Sequence, residues 1–400
     1  MIRCIKCNMV HAISKSGKLR GKQRYYCKDC NIYFTIHDAC KEDLPDNNHK
    51  RHIATIADIA RALNVSKSTV SRALHEHSDI NEQTRQAVLQ MAKELDYQPN
   101  LLAKSLVQNK TNTIGIIVPE FLTYFFPTVI IGAQQIASAA GYNVIICQSQ
   151  ESYFTEVSNA NVLIANRVDG VLISMSKETR NIDHYKRFER HGIPVVFFNR
   201  VCDEMNVPKV LVNDYNGAFK ATEHLIKNGY KRIAHIGGPA NLRLSHNRLN
   251  GYKDALKKYK LPILDELITS CDLSKQDAVK SAKYLLGLPE PPDAVFCVND
   301  PTAIQLILTA KAKGIHIPEE LGVVGFSNDP IAAIIEPALT TVEQPVAEMG
   351  RKAMQLLIDI LKGDAGKGEP AYLSLSTKLI LRKSSVKPAG IKIFSIKTAQ

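Results

Sequence analysis

Apolar residues recur at one-turn spacing at Ile56, Ile59, Ala60 and Leu63, lapse across Asn64-Val65-Ser66, and resume at Val70 and Leu74. The spacing predicts two short helices meeting at a tight turn with Val65 buried in it, the second helix starting at Ser66 or Lys67. Its open face presents Lys67, Ser68, Thr69, Ser71 and Arg72, small donors and cations without a carboxylate. Such a face fits the major groove of DNA, where short polar side chains reach base edges and cations meet guanine or phosphate. Behind Asn81, the stretch EQTRQAVLQMAKELDY places Val88, Met91, Ala92 and Leu95 on one side of a third helix. That helix closes a three-helix domain over residues 53–98.

From Thr113 the period changes. IGIIVP, NVIICQ, DGVLIS, PVVFFN, KVLVND, RIAHIG, DAVFCVND and LGVVGFS are short β-branched runs, and helical segments such as TVIIGAQQIASAAG and GAFKATEHLIKNG lie between them. Repeated strand-helix alternation predicts parallel sheets covered on both faces. Two such units in tandem, over residues 113–385, resemble the periplasmic sugar-binding fold, with a cleft between lobes. Ligands in open α/β sheets sit beyond the carboxyl ends of strands. The residues at those ends are therefore the informative ones: Phe125 and Phe126, Asn199 and Arg200, Arg248, Leu273, and Asn299 with Asp300. An arginine offers a planar fork of donors, a carboxylate accepts from adjacent hydroxyls, and an aromatic face covers an apolar ring surface. Alone, Arg200 or Asp300 reads as a solvated loop charge; together, at matching strand ends, they favour a pocket for a small polar ring such as a sugar.

Composition narrows the class. The 400 residues are 45% hydrophobic, and no apolar run reaches the roughly 18–20 residues of a membrane span. The opening MIRCIKCNMV lacks the apolar stretch of a secretion signal, so the chain is expected in the cytoplasm and away from membranes. Net charge is +12, and residues 1–30 hold eight Lys or Arg against the single acid Asp29. Nucleic acid is the natural partner for that sign. Of nine cysteines, Cys4, Cys7, Cys27 and Cys30 form two C-x-x-C pairs separated by 19 residues. Two thiolate knuckles at this spacing predict a closed, structural zinc site in a small ribbon over residues 1–36. A bound metal would substitute for the core that so short a segment lacks. No thioredoxin-like pattern surrounds either pair, which argues against a redox role. Residues 37–52, polar and interrupted by Pro45, read as a linker, and residues 386–400 as a basic tail.

The ribbon, with Gly21, Arg24, Tyr25, Cys27 and Cys30 in a G-x-x-R-Y-x-C-x-x-C order, resembles the small zinc ribbons at the N-termini of certain bacterial transposases. Residues 55 to about 385 resemble the LacI/GalR family of bacterial transcription regulators. They carry T-x-x-D-I-A from Thr55, V-S-x-x-T-V-S-R-x-L from Val65, Y-x-P-N from Tyr97 and A-K-S-L from Ala103, in that order. The resemblance implies that Lys67 and Ser68 read bases and that Thr69, Ser71 and Arg72 touch groove or phosphate. It also implies that Thr55, Asn81 and Tyr97 support DNA contacts. Asn100, Ala103, Lys104 and Leu106 would belong to a hinge helix within residues 99–112 that orders on operator DNA. Leu106 would wedge into the minor groove, the use an apolar side chain finds on a short helix without a core. The family correspondence further places Phe125, Phe126, Asn199, Arg200, Arg248, Leu273 and Asp300 at effector-contact positions. It implies a homodimer on a palindromic operator.

Enzyme classes find no support. The chain has neither G-x-x-x-x-G-K-[ST] nor G-x-S-x-G, and Gly237-Gly238-Pro239 opens no dinucleotide fingerprint. A transposase-like enzyme would need an acidic metal cluster, and a secreted sugar-binding protein would need a signal. The expectation is a multidomain chain: a Cys4 zinc ribbon, an all-α helix-turn-helix domain and an α/β two-lobed periplasmic-binding-protein-like domain that senses a carbohydrate.

Overall fold

A computed structural model describes residues 2, 4, 6–7, 12–35, 54–75, 77–98, 110–364 and 372–387. The chain forms two compact units, Met1–Leu101 and Leu102–Gln400.

In the first unit, β1 (Ile13–Leu19), β2 (Lys22–Cys27) and β3 (Ile32–Thr35) make an antiparallel sheet in that order. Arg20 and Gly21 join β1 to β2 with φ of 48° and 79°. This is the left-handed pair that a two-residue hairpin requires if its twist is to match the strands. Alternation along β2 sends Tyr25 and Cys27 inward to meet Cys4, Ala12 and Phe34. Further along the same unit lie α1 (Ile56–Ala62), α2 (Lys67–Leu74) and α3 (Glu82–Glu94). Ile59, Ala60, Val70, Ala73 and Val88 form their shared core. The turn between α1 and α2 closes because Asn64 adopts φ 52°, which lets the Val65 amide donate to Ala60 O at 3.0 Å. Some expected core positions differ: Val65, Met91 and Ala92 are half-buried at the edge of that core. Ala73 is fully buried and Leu74 only half-buried, while Leu95 lies past the end of α3 and is exposed. A small residue lets α2 approach its neighbours more closely than leucine does, so the buried stripe is rotated by one position.

The second unit holds two six-stranded sheets. The first lobe is built from β4 (Thr113–Val118), α4 (Phe125–Ala139), β5 (Asn143–Gln148), α5 (Tyr153–Ala165), β6 (Gly170–Ile173), α6 (Asp183–Arg190), β7 (Val195–Phe198) and β8 (Lys209–Val212). The second comprises α7 (Asp214–Lys227), β9 (Ile233–Gly237), α8 (Arg243–Lys258), β10 (Ile268–Ser270), α9 (Lys275–Leu285), β11 (Ala294–Cys297), α10 (Asp300–Ala312), β12 (Gly322–Ser327), α11 (Ile331–Ile334) and β13 (Thr340–Glu343). The chain then returns to the first lobe with α12 (Val346–Lys362) and β14 (Tyr372–Leu375), and ends in the second with β15 (Lys378–Ile380). Sheet orders are β14-β8-β7-β6-β4-β5 and β10-β9-β11-β12-β13-β15. The lobes are therefore interleaved, not in tandem, with crossovers after β8, after β13 and after β14.

The run YLSLSTKLILRKS, which reads as one strand, is split at Ser376-Thr377. Its first half pairs parallel with β8 and its second antiparallel with β13. Pairing partners so distant in sequence leave no local trace, so only the assembled sheets show the break. In the first lobe α12 lies against α4 at close range. A Cβ on Gly132 would meet Ala347 O at 2.2 Å, and one on Gly350 would meet Val129 O at 2.0 Å. Apolar cores cover both faces of the first sheet, which is why its strands are continuous apolar runs. Among the described residues no helix is long and apolar enough to cross a membrane.

Candidate functional site

Helix α2 is positioned by its caps. Ser66 Oγ accepts from the Thr69 amide at 3.0 Å and shares hydrogen bonds with Ser68 Oγ and Thr69 Oγ1, each at 2.8 Å. Thr55 and Asp58 make the corresponding box on α1, the Thr55 amide donating to Asp58 Oδ2 at 2.9 Å. Asn81 Oδ1 accepts from the Thr84 amide at 2.8 Å and so caps α3. Of the proposed reader residues, Lys67, Ser68 and Arg72 are exposed, and Thr69 and Ser71 are half-buried. Arg72 Nη1 lies 2.9 Å from Asp79 Oδ2, both side chains being more than half exposed. Such a solvated pair is worth at most about 1 kcal/mol, so the guanidinium can exchange its partner for a phosphate. Tyr97 packs at the edge of the three-helix core, and burial raises its phenol above the usual tyrosine value. Asn100, Ala103, Lys104 and Leu106 lie outside the described residues.

The four N-terminal cysteines converge as the spacing anticipates. The Sγ atoms of Cys4, Cys7, Cys27 and Cys30 lie within 4.8 Å of one another. All four are free thiols, and the Lys6 amide points at Cys4 Sγ at 3.4 Å. Packed together without a cation they ionise unequally: burial raises Cys4, but the hydrogen bonds of the Cys7 and Lys6 amides bring it down to about 7, whereas the hydrogen bond with Cys7 is the main cause that pushes Cys30 up to about 12. A divalent ion at their centre would reverse this, because thiolates are its ligands. The donor set is complete at four, which suits a structural metal and leaves no open position for chemistry.

In the second unit, a cavity of about 630 Å³ opens between the lobes and takes its lining from the strand ends of both sheets. Phe125, Phe126, Asn199, Arg200, Arg248 and Leu273 all line it. Left-handed backbone gathers in its lining: Glu151 (φ 60°), Asn199 (φ 57°), Leu273 (φ 70°) and Ser327 (φ 130°). Conformations that non-glycine residues avoid are held at binding clefts by the surrounding fold.

Arg200, 7% exposed, is held by a carboxylate that sequence reasoning missed. Its Nη1 donates to Glu151 Oε1 and Oε2, both at 2.8 Å, and the guanidinium lies 5.7 Å from the Phe126 ring centroid. Arg248 is fixed from the opposite side. Its Nε donates to Asp214 Oδ1 at 2.8 Å, Nη1 donates to Val298 O, and the head stacks over Phe326 at 3.6 Å. Burial raises the Asp214 carboxyl although Arg248 pulls it down.

Asp300 departs from expectation. It is fully buried, absent from the cavity lining, and already satisfied: Thr341 donates to Oδ1 at 2.5 Å and the Asp329 amide to Oδ2 at 2.8 Å. Burial pushes its pKa up to about 6. The close approach requires glycine at position 325, where a Cβ would stand 2.1 Å from Asp300 Oδ1. The acids that do line the cavity are Glu120, Glu151, Asp272 and Asp329, joined by Lys177 and Lys275. Glu120, Glu151, Asp272 and Asp329 follow β4, β5, β10 and β12 within three residues, so the strand-end rule had all four within reach. What no strand end announces is the pairing of Glu151 with Arg200.

The fold has counterparts among known proteins. Residues 55–100 match the family described as bacterial regulatory proteins, lacI family, and residues 222–385 match the periplasmic binding protein-like domain. The HTH-type transcriptional repressor CytR of Escherichia coli (strain K12) is 34% identical over 333 residues, 83% of this chain and 96% of that protein. A transcriptional regulator CelR–cellobiose complex superposes with a TM-score of 0.64 at 29% identity, covering 83% of this chain and 99% of the other. A Lac repressor dimer bound to operator and the anti-inducer ONPF gives a TM-score of 0.74 at 22% identity over 84% and 99%, a likeness of fold.

Proposed function

Because this chain belongs to the LacI family of bacterial regulatory proteins, a group of DNA-binding repressors and not enzymes, we propose that it is a cytoplasmic homodimeric repressor that binds a palindromic operator and releases or grips it in response to a small carbohydrate. Lys67 and Ser68 read base edges, while Thr69, Ser71 and Arg72 contact groove or phosphate. Thr55, Asn81 and Tyr97 hold that helix against the backbone, and residues 99–112, with Leu106 as wedge, form the hinge. Four thiolates hold one zinc ion, which supplies the core that residues 1–36 lack.

The observation that carries the reading is the cleft. Arg200 with its counter-ion Glu151, beside the Phe126 ring, and Arg248 with Asp214, over the Phe326 ring, line the cleft with oriented guanidinium groups. Oriented donors, carboxylates and an aromatic face are what a polyhydroxylated ring needs, and a relative is seen with cellobiose bound. Asp300 acts behind this surface by fixing the Asp329 amide. Exposed Ile131 on α4 and Ile146 on the edge strand β5 support pairing with a second copy. Effector binding shifts the population of lobe arrangements, and the hinge couples that shift to DNA by the same free energy in both directions.

Selection of bound duplexes from a random pool, with and without a sugar panel ranked by thermal shift, tests this directly. A palindromic consensus whose affinity changes with one sugar is expected. A monomer that enriches no duplex would overturn the reading.

A further inference from the structure

The N-terminal sheet has a face that its own core does not use. Tyr25 and Phe34 fill the interior beside the cysteines, yet Tyr26 and Tyr33, in register on β2 and β3, turn outward. Their ring centroids lie 4.7 Å apart, and Arg24 Cζ stands 4.2 Å over the Tyr33 ring. Tyr33 remains 51% exposed. Tyr26 donates its hydroxyl to Asn31 Oδ1 at 2.7 Å, which holds the stack rigid. On the same side of β2 as Tyr26 lies the exposed Lys22, and Arg20 in the turn and Lys28 past the strand are exposed as well. Lys15 and Lys18 pair with Tyr25 and Gln23 and so leave from the other side, and Asp29 is the lone acid in residues 12–35. Even with the two net negative charges of a zinc tetrathiolate, residues 1–35 keep a formal charge of about +5, from eight cations, one acid and that site. A purely structural sheet gains nothing from outward rings and cations at this density, since like charges repel.

We propose that this face is a second duplex-binding surface, gripping the sugar-phosphate backbone beside the operator without reading its sequence. The proposal rests on the reading of α2 as an operator reader. Cations contribute sequence-independent affinity by releasing counterions, and the rigid tyrosines supply flat area and hydroxyls for sugar edges and phosphates. Duplex DNA is favoured over other polyanions because the same chain carries a duplex reader, so the second contact forms at high effective concentration. Residues 36–53 span at most about 60 Å when extended, which sets the reach at roughly 17 base pairs, at one phosphate per strand every 3.4 Å.

The test compares the full chain with Arg20→Gln/Lys22→Gln/Lys28→Gln, three exposed positions, and with Arg24→Gln/Tyr33→Ser, which breaks the stack. Salt titrations of binding are run on the selected operator core, on the same core with flanks of roughly 20 base pairs on each side, and on an unrelated duplex. The wild type should gain affinity of about tenfold from the flanks, and its salt slope should exceed that of the triple variant by about 2–3 on every flanked or unrelated duplex. Both variants should lose the flank gain. Equal slopes with no flank effect would overturn the proposal, as would a preference of this face for single strands of equal length. A chain that binds all duplexes alike, but with a ribbon-dependent slope, would instead sink the operator reading and leave this one standing.

Discussion

Lys177 and Asp272 join the two lobes across the cleft: Lys177 Nζ lies 3.1 Å from Asp272 Oδ2 and 2.8 Å from Asp272 O. Lys177 follows β6 of the first lobe and Asp272 follows β10 of the second, so the pair exists only while the lobes are close. The Lys177 amide also donates to Glu151 Oε2 at 2.8 Å. The carboxylate that holds Arg200 in the pocket therefore also holds the loop that carries the latch. A second inter-lobe pair joins Arg243 to Asp203 at 2.6 Å and to the Tyr372 hydroxyl at 3.0 Å.

Removing the latch should loosen closure without abolishing binding. Both partners are partly solvated, so the pair is worth about 0.2–1 kcal/mol, and Lys177→Ala should weaken effector binding about two- to fivefold. High salt should erase the difference. Calorimetric titration at low and high salt checks this, and an unchanged affinity at low salt would remove the latch from the account.

Glu151→Gln acts differently. It leaves Arg200 almost buried without its counter-charge, a loss of about 3 kcal/mol in stability, the low end for broken buried pairs because Glu151 is 19% exposed. It should also abolish effector response. Glu151→Gln/Arg200→Gln should recover part of the stability and none of the response, which chemical denaturation and operator release can separate.

On the reader helix, Lys67→Ala should cost about 1–3 kcal/mol on the selected operator and far less on random duplex. Ser66→Ala removes a cap worth about 1 kcal/mol and should instead lower melting temperature. Competition binding with both duplexes distinguishes the two effects; equal losses on both duplexes for Lys67→Ala would reduce that residue to a phosphate contact.

Metal analysis should find one zinc per chain. Cys4→Ser or a strong chelator should remove it and unfold the ribbon, whose structural binding energy at neutral pH is on the order of 10–16 kcal/mol. Effector binding by residues 113–385 should survive. Full ribbon protection from proteolysis after chelation would contradict a metal-held fold.

Glu223 makes a pH prediction. Its hydrogen bonds with Lys258 and then Lys227 hold the carboxyl at about 2, well below 4.5. A depressed carboxyl stabilises the fold above its unfolded value and loses that contribution as pH falls from about 4.5 toward 2. Since the lysines are exposed, the effect is about 0.5–1 kcal/mol. Glu223→Gln should therefore melt lower than wild type at pH 7 and match it near pH 2. A gap that persists at low pH would mean that packing, not charge, is at work.

The spacing Ile56, Ile59, Ala60, Leu63 and the caps Ser66 and Asn81 made the helix-turn-helix legible, because each depends on residues within one turn. The cysteine pairs were legible because thiolate chemistry admits few alternatives. Strand ends led to Phe126, Arg200 and Arg248, since ligand position follows from parallel topology. Glu151 also stands just past a strand end, β5, but its pairing with Arg200 across 49 positions was not legible, because no local window contains both residues.

What the sequence determined by itself is therefore local: which segments are helix or strand, which face of α2 is polar, where four thiols lie. Only the tertiary structure decided that β14 and β15 belong to different lobes, that Asp300 turns into the core to hold Thr341 and the Asp329 amide, and that Lys177 meets Asp272. Those outcomes depend on pairings between distant residues, whose energies are set by burial and geometry that no window of the chain contains.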